Sequence, residues 1–246
     1  MAFRIEKRIG AVLTGLLFLT PAFGQGQLSY RVWHAHAGVL RKHRTGEFGE
    51  IAFSDTGVSF KAKPHSWAWA YQEIQQLKLS GRTLTVLTYA DNKWKLGADR
   101  EYRFELEPGK SFADAYAFLR SRMDQRFVAA MPGAVAGELW EIPVKHLLRF
   151  GGEEGVLQAG AEAIVYKAAK DGESRTWRYE DIENISSSGP FQLTITVYER
   201  AKTHYGDLKG FNFQLKERLD EGRYNQLWLS LNRSKGLKIL DSYKQD

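Results

Sequence analysis

Trp69-Ala70-Tyr71-Gln72-Glu73-Ile74-Gln75-Gln76-Leu77 returns 108 residues later as Trp177-Arg178-Tyr179-Glu180-Asp181-Ile182-Glu183-Asn184-Ile185. Directly after it, Leu84–Leu106 returns at Leu193–Leu215 with an offset of 109 and no gap. Seven of those 23 positions are identical: Leu84/Leu193, Thr85/Thr194, Tyr89/Tyr198, Lys93/Lys202, Gly97/Gly206, Phe104/Phe213 and Leu106/Leu215. A repeat of this length is about the size of a small domain, so it points to two copies of one fold rather than a solenoid.

Within the first copy the period is two. Glu50–Phe53 stops at Ser54-Asp55-Thr56-Gly57, and Val58–Ala62 alternates up to Lys63-Pro64. Trp67, Trp69 and Tyr71 share one face of a third strand, because alternate residues of a strand point the same way. Ile74–Leu79 and Thr83–Tyr89 flank the turn Ser80-Gly81-Arg82, and Tyr102–Leu106 alternates until Pro108-Gly109. Then the period changes. Ser111 is placed to cap a helix carrying Phe112, Tyr116, Leu119 and Met123 on one face up to about Arg126. The second copy repeats the switch, with Asp220 as the cap and Tyr224, Leu227, Trp228 and Leu231 as the buried stripe. The small residues from Val128 to Gly137 read as a connection between the copies.

The N-terminus has a different character. Arg4, Lys7 and Arg8 precede an uncharged run from Ile9 to Leu19, then Pro21 and Ala22-Phe23-Gly24. This is the layout of a secretory signal peptide cut before Gln25, and its apolar core is short against the ~20 residues that span a bilayer. The reading is therefore of an exported, periplasmic or extracellular protein with no transmembrane segment in its mature chain. Cleavage removes three bases and one acid, taking the net charge from +6 to +4. That mild excess permits an anionic partner. Charges this well mixed argue against nucleic acid. With no cysteine, the chain has neither disulfides nor a lipid-acceptor thiol.

Six or seven strands followed by one helix, twice over, resemble a pleckstrin-homology-like (PH-like or GRAM-like) domain in tandem. The patterns Trp-x-Tyr-x-[Glu/Asp]-Ile and Leu-Thr-[Val/Ile]-x-x-Tyr resemble an uncharacterised bacterial family of exported proteins with two such domains. The resemblance implies a mainly β chain of two half-barrels, each closed by a C-terminal helix. Its expected divisions are a signal peptide at 1–24, a first domain at 28–130, a linker at 131–138, a second domain at 139–236 and a tail at 237–246. It implies no single function, because one fold hosts many. No dense Lys/Arg cluster of an inositol-phosphate binder is read in the first hairpin of either copy, the basic run Arg41, Lys42 and Arg44 being read with the histidines.

Three groups of residues bear chemistry. His34-x-His36 with His43 has the spacing of a metal site, but the second copy offers only His146, matched to His43, so no metal and no cofactor is assigned. Glu73 and Asp181 sit inside the repeated motif and read as turn caps rather than general bases. The better ligand candidates are the two late hairpins. One holds Lys93, Trp94, Lys95 and Arg100, and its counterpart holds Lys202, His204, Tyr205 and Lys209. Together they offer cations for an anion and flat rings for packing. Gly97 and Gly206 fit a plainer account in which each supplies a positive φ to a turn.

No nucleophile elbow, zinc-protease motif or phosphate loop is present. The expected function is a non-enzymatic binding or interaction module of the bacterial envelope, with an anionic surface, a lipid or a protein as partner. Two other readings stay open: a lipid or small-ligand carrier with a cavity under the C-terminal helices, and a hydrolase with a site between the copies.

Overall fold

The computed structural model describes residues 27–35, 45–92, 97–170, 172–201 and 206–236. The expected signal peptide, His36 and His43 lie outside the described residues. The first copy contributes β1 (Leu28–Ala35), β2 (Gly46–Phe53), β3 (Gly57–Lys61), β4 (Ser66–Ala70), β5 (Ile74–Ser80), β6 (Thr83–Asp91), β7 (Asp99–Leu106) and helix α1 (Ala113–Arg120). After β8 (Phe127–Ala130), the second contributes β9 (Trp140–Leu147), β10 (Gly152–Ala159), β11 (Ala163–Ala168), β12 (Arg175–Arg178), β13 (Ile182–Gly189), β14 (Gln192–Arg200), β15 (Leu208–Leu215) and helix α2 (Glu221–Ser234). No helix among the described residues is long and apolar enough to cross a membrane.

The two halves have the same strand order. The first reads β4-β3-β2-β1-β7-β6-β5 and the second β12-β11-β10-β9-β15-β14-β13. Each half of the sheet curls on itself. Trp69 on β4 and Tyr102 on β7 are not sheet neighbours, yet their rings lie 4.8 Å apart. Trp177 on β12 meets Phe211 on β15 at the same 4.8 Å. Two separate apolar clusters result, one around Phe53, Phe60, Phe104 and Phe112, the other around Tyr166, Phe211, Phe213 and Leu227.

The repeated motif makes a corner in each copy. Trp69 and Trp177 are core residues, 9% and 3% exposed. Tyr71 and Tyr179 leave the strand for a short 3-10 turn and donate their hydroxyls to Ser54 O and Gly160 O. Glu73 accepts from Ala70 N at 2.8 Å and Asp181 from Arg178 N at 2.9 Å. Both carboxylates are caps of that turn, as their place in the motif suggested.

Three expectations need correction. The connection between the copies is in part a strand: β8 runs parallel to β5 from Leu77↔Phe127 to Ser80↔Ala130 and meets β12 at Thr176↔Ala129. All fifteen strands thereby form one sheet, and the copies are joined by backbone hydrogen bonds as well as by chain. Phe127 and Ala129 pack into the first core, which holds this four-residue strand in place. Second, α1 starts later and ends sooner than the spacing predicted. Phe112, wholly buried and bonded through its amide to Gly81 O, stands at its N-cap instead of Ser111. Third, Trp228 is 48% exposed, while Leu227 and Leu231 carry the buried face of α2. Asp220 does cap α2, accepting from Arg223 N at 2.9 Å.

Candidate functional site

Of the eight residues singled out on the late hairpins, Lys93, Trp94, Lys95, Lys202, His204 and Tyr205 lie outside the described residues. The hairpin feet are described. Gly97 and Gly206 have φ of +70° and +86°, the left-handed conformation that glycine alone adopts at little cost. Arg200 Nη1 donates to Asp99 Oδ2 at 2.9 Å and to Gln75 Oε1 at 3.2 Å, tying the foot of the second hairpin to that of the first. Arg100 lies on β7 with Nη1 3.5 Å from the Tyr102 hydroxyl.

Lys209 is not a loop-tip cation. It lies on β15 and points to Glu199, the last member of the inward row Leu193, Ile195, Val197, Glu199 on β14. That row carries a carboxylate to the mouth of the second half-barrel, where it is 5% exposed. An isolated buried carboxylate is costly, and three cations answer it. Lys209 Nζ and Lys78 Nζ each donate to Glu199 Oε1 at 3.0 Å, and Arg175 Nε donates to Oε2 at 3.2 Å. Lys78 belongs to the first copy, so the cluster spans the junction.

Burial alone would raise the Glu199 pKa, but Arg175, Lys209 and Lys78 outweigh it and hold the carboxyl down to about 2. Burial pushes the Lys209 ammonium down against the attraction of Glu199, with Arg175 and Lys78 adding repulsion. Arg175 is itself nearly buried and turns Nη1 to Ser174 O at 2.8 Å, while the side chains of Lys78 and Lys209 keep about a third of their surface in solvent. Phe211 lies beneath, with Lys209 Nζ 4.7 Å and Arg175 Cζ 5.6 Å from its ring centre. His146 stacks on Phe211 at 5.3 Å, its pKa lowered by burial and then by Lys209 and Arg175.

Register corrects the pairing of histidines. His146 faces Phe213 across β15, and His34 faces Phe104 across β7. His146 is therefore the counterpart of His34, not of His43. Both are buried among aromatic rings, Phe60, Trp67 and Phe104 around the first, Tyr166, Phe211 and Phe213 around the second.

Arg175 and Glu199 were legible as a coupled difference between the copies. Where the second copy has Glu199 and Arg175, the first has Ala90 and Trp67. An acid and a base replace neutral residues together on equivalent strands, and the fold brings them into contact.

A second place between the copies is a groove of about 440 Å³ that includes Arg120, Glu162, Arg178, Glu180 and Arg233 in its lining. Within the lining, Arg120 meets Glu162 at 3.2 Å and Arg178 meets Glu180, while Arg178 also meets Asp181 at 2.7 Å. Arg178 also donates to the carbonyls of Arg120, Met123 and Asp124, which closes the end of α1.

Seven strands in one fixed order followed by a helix, twice, define a mainly β chain of two repeated units, each with a helix after its last strand. No protein-family model and no curated protein matches the chain. Among solved structures it is similar to the C-terminal domain of an unknown protein from Leishmania infantum, with 10% identity over 49% of this chain and 94% of that one, at a TM-score of 0.31. It is similar to the Spt16D Pob3N heterodimer with 12% identity over 70% and 82%, at 0.28. The Bacillus subtilis inhibitor of motility gives 8% identity over 85% and 97%, at 0.16. Likenesses at these scores carry no argument about activity or partner.

Proposed function

We propose that this chain is an exported, non-enzymatic binding module of the bacterial envelope, belonging with exported proteins that carry two PH-like domains. The second copy, at its open end, receives an anionic group. The observation behind this reading is that three cations share one carboxylate there. Glu199 balances one positive charge, and the exposed parts of Lys78 and Lys209 present the remainder to solvent. A second anion would offset that remainder through charge-assisted hydrogen bonds to the two ammonium groups. That the carboxylates of the repeated motif, Glu73 and Asp181, act as turn caps supports a scaffold role for them rather than a catalytic one.

A ligand that binds only the folded state raises the melting temperature by mass action. Soluble tripolyphosphate should therefore raise the melting of the mature chain at low salt, and Lys78→Gln/Lys209→Gln should abolish that rise. An equal rise in the double variant would overturn the assignment of these lysines.

A further inference from the structure

The geometry points to the β9–β10 hairpin as a wedge that inserts into an anionic phospholipid bilayer. Its tip, Leu147-Leu148-Arg149-Phe150-Gly151, exposes three large apolar side chains within four residues: Leu147 at 42%, Leu148 at 46% and Phe150 at 85%. Phe150 is the most exposed large apolar residue among those described.

The tip owes its shape to other features. Leu148 N donates to Gly151 O at 3.2 Å, and Gly151 has φ of +78°. A Cβ on Gly152 would lie 2.8 Å from His146 O, so glycine is required there by close approach. Hydrogen bond and glycines define the turn, Leu147 and Leu148 are about half-buried, and Phe150 contributes little burial. Apolar surface left exposed in a contiguous group at a turn is a feature of a docking element.

Size and charge select the occupant. A stable protein interface buries roughly 1,200–2,000 Å², and three side chains on a two-stranded tip fall well short. They suffice for an interfacial anchor, which needs only a few apolar groups below the headgroups and a cation beside them. Arg149 supplies that cation, its Cζ 5.4 Å from the Phe150 ring centre. Residues 147–151 contain no carboxylate. Of the two behind the tip, Glu153 accepts from Lys170 N at 2.9 Å, and the exposed Glu154 has its charge answered by Lys216. Leu208, 39% exposed, opens β15, the strand that pairs with β9. Lys209 follows it directly, so the wedge and the cation cluster share one end of the second copy. The inference rests on the anionic reading above for the lipid's charge, and on the tip alone for insertion.

Because the chain has no cysteine, Phe150→Cys can carry a single environment-sensitive fluorophore. With vesicles of phosphatidylglycerol and phosphatidylethanolamine, its emission should shift to the blue. Unlabelled Leu148→Ser/Phe150→Ser should melt like wild type and partition into the vesicles about tenfold less or worse, since each lost apolar group weakens burial. An unshifted emission, or equal partition of the tip variant, would overturn the wedge. So would a spectral change that grows with protein concentration in the absence of lipid, which would assign the tip to a second copy of the chain. The two readings separate cleanly. If Lys78→Gln/Lys209→Gln keeps the full blue shift, the lysines fail and the wedge stands. If the tip variant binds normally while the lysine variant does not, the wedge fails and the anion site stands.

Discussion

Lys78 on β5 of the first copy and Glu199 on β14 of the second lie 3.0 Å apart, nitrogen to oxygen, across 121 residues of sequence. The contact has no twin elsewhere in the repeat, because Ser186 stands at the position equivalent to Lys78 and Ala90 at that of Glu199. The duplicated scaffold is thus joined by residues in which the copies differ.

The Glu199 carboxyl is held at about 2 in the folded state, against an ordinary value of 4.5. A depressed acid stabilises the fold above its unfolded pKa, and that contribution disappears as pH falls from about 4.5 towards 2. For a group this buried, the shift corresponds to about 3 kcal/mol. Glu199→Gln should flatten the loss of stability over that window and, at neutral pH, cost about 3–5 kcal/mol by leaving three cations without their carboxylate. Denaturant titrations at a series of pH values measure both; a variant with the wild-type acid slope would show that Glu199 is not the titrating group.

Trp69→Ala and Trp177→Ala each remove a buried ring and should each cost about 3–5 kcal/mol. The sheet runs through β8 without a break, so the expected outcome is one shared transition that moves down in either variant. Calorimetry showing two separate transitions, with only one displaced, would mean that the β5–β8–β12 pairing does not couple the cores.

Arg178→Ala should loosen a helix in the other copy. The guanidinium donates to three carbonyls at and beyond the end of α1, and its side chain is 12% exposed. Losing charged hydrogen bonds of this kind costs about 1.5–3 kcal/mol. Amide exchange should quicken across 113–120 while α2 stays protected. Unchanged exchange in α1 would remove Arg178 from the junction.

Much of this was legible in the sequence. Alternation marked the strands on both sides of the repeated motif, and the change of period marked both helices, since burial on one face leaves a period in the chain. The strand β8 left no such trace: Phe127-Val128-Ala129-Ala130 is short, buried throughout and without alternation. His146 was matched to His43 because unequal first hairpins shift the offset, and only the pairing with Phe213 and Phe104 restores its relation to His34. Lys209 read as a loop cation because its partner on β14 is ten residues away and Lys78 comes from the other copy. Spacing within one motif cannot show contacts of that kind.

Export is expected to leave Gln25 at the N-terminus, as the run from Arg4 to Gly24 implies. Sequencing the exported protein checks this; retention of Met1 on a membrane-bound form would contradict it.

At the open end of the second copy, the charge that Glu199 leaves unbalanced is proposed to hold an anion. Co-sedimentation of the mature chain with phosphatidylglycerol vesicles, at low and at physiological salt, tests it most directly. Wild type should sediment at low salt and less so as screening reaches ~8 Å, and Lys78→Gln/Lys209→Gln should remain in the supernatant at a temperature where circular dichroism shows it folded. Equal sedimentation of the two proteins at both salt concentrations would contradict the account.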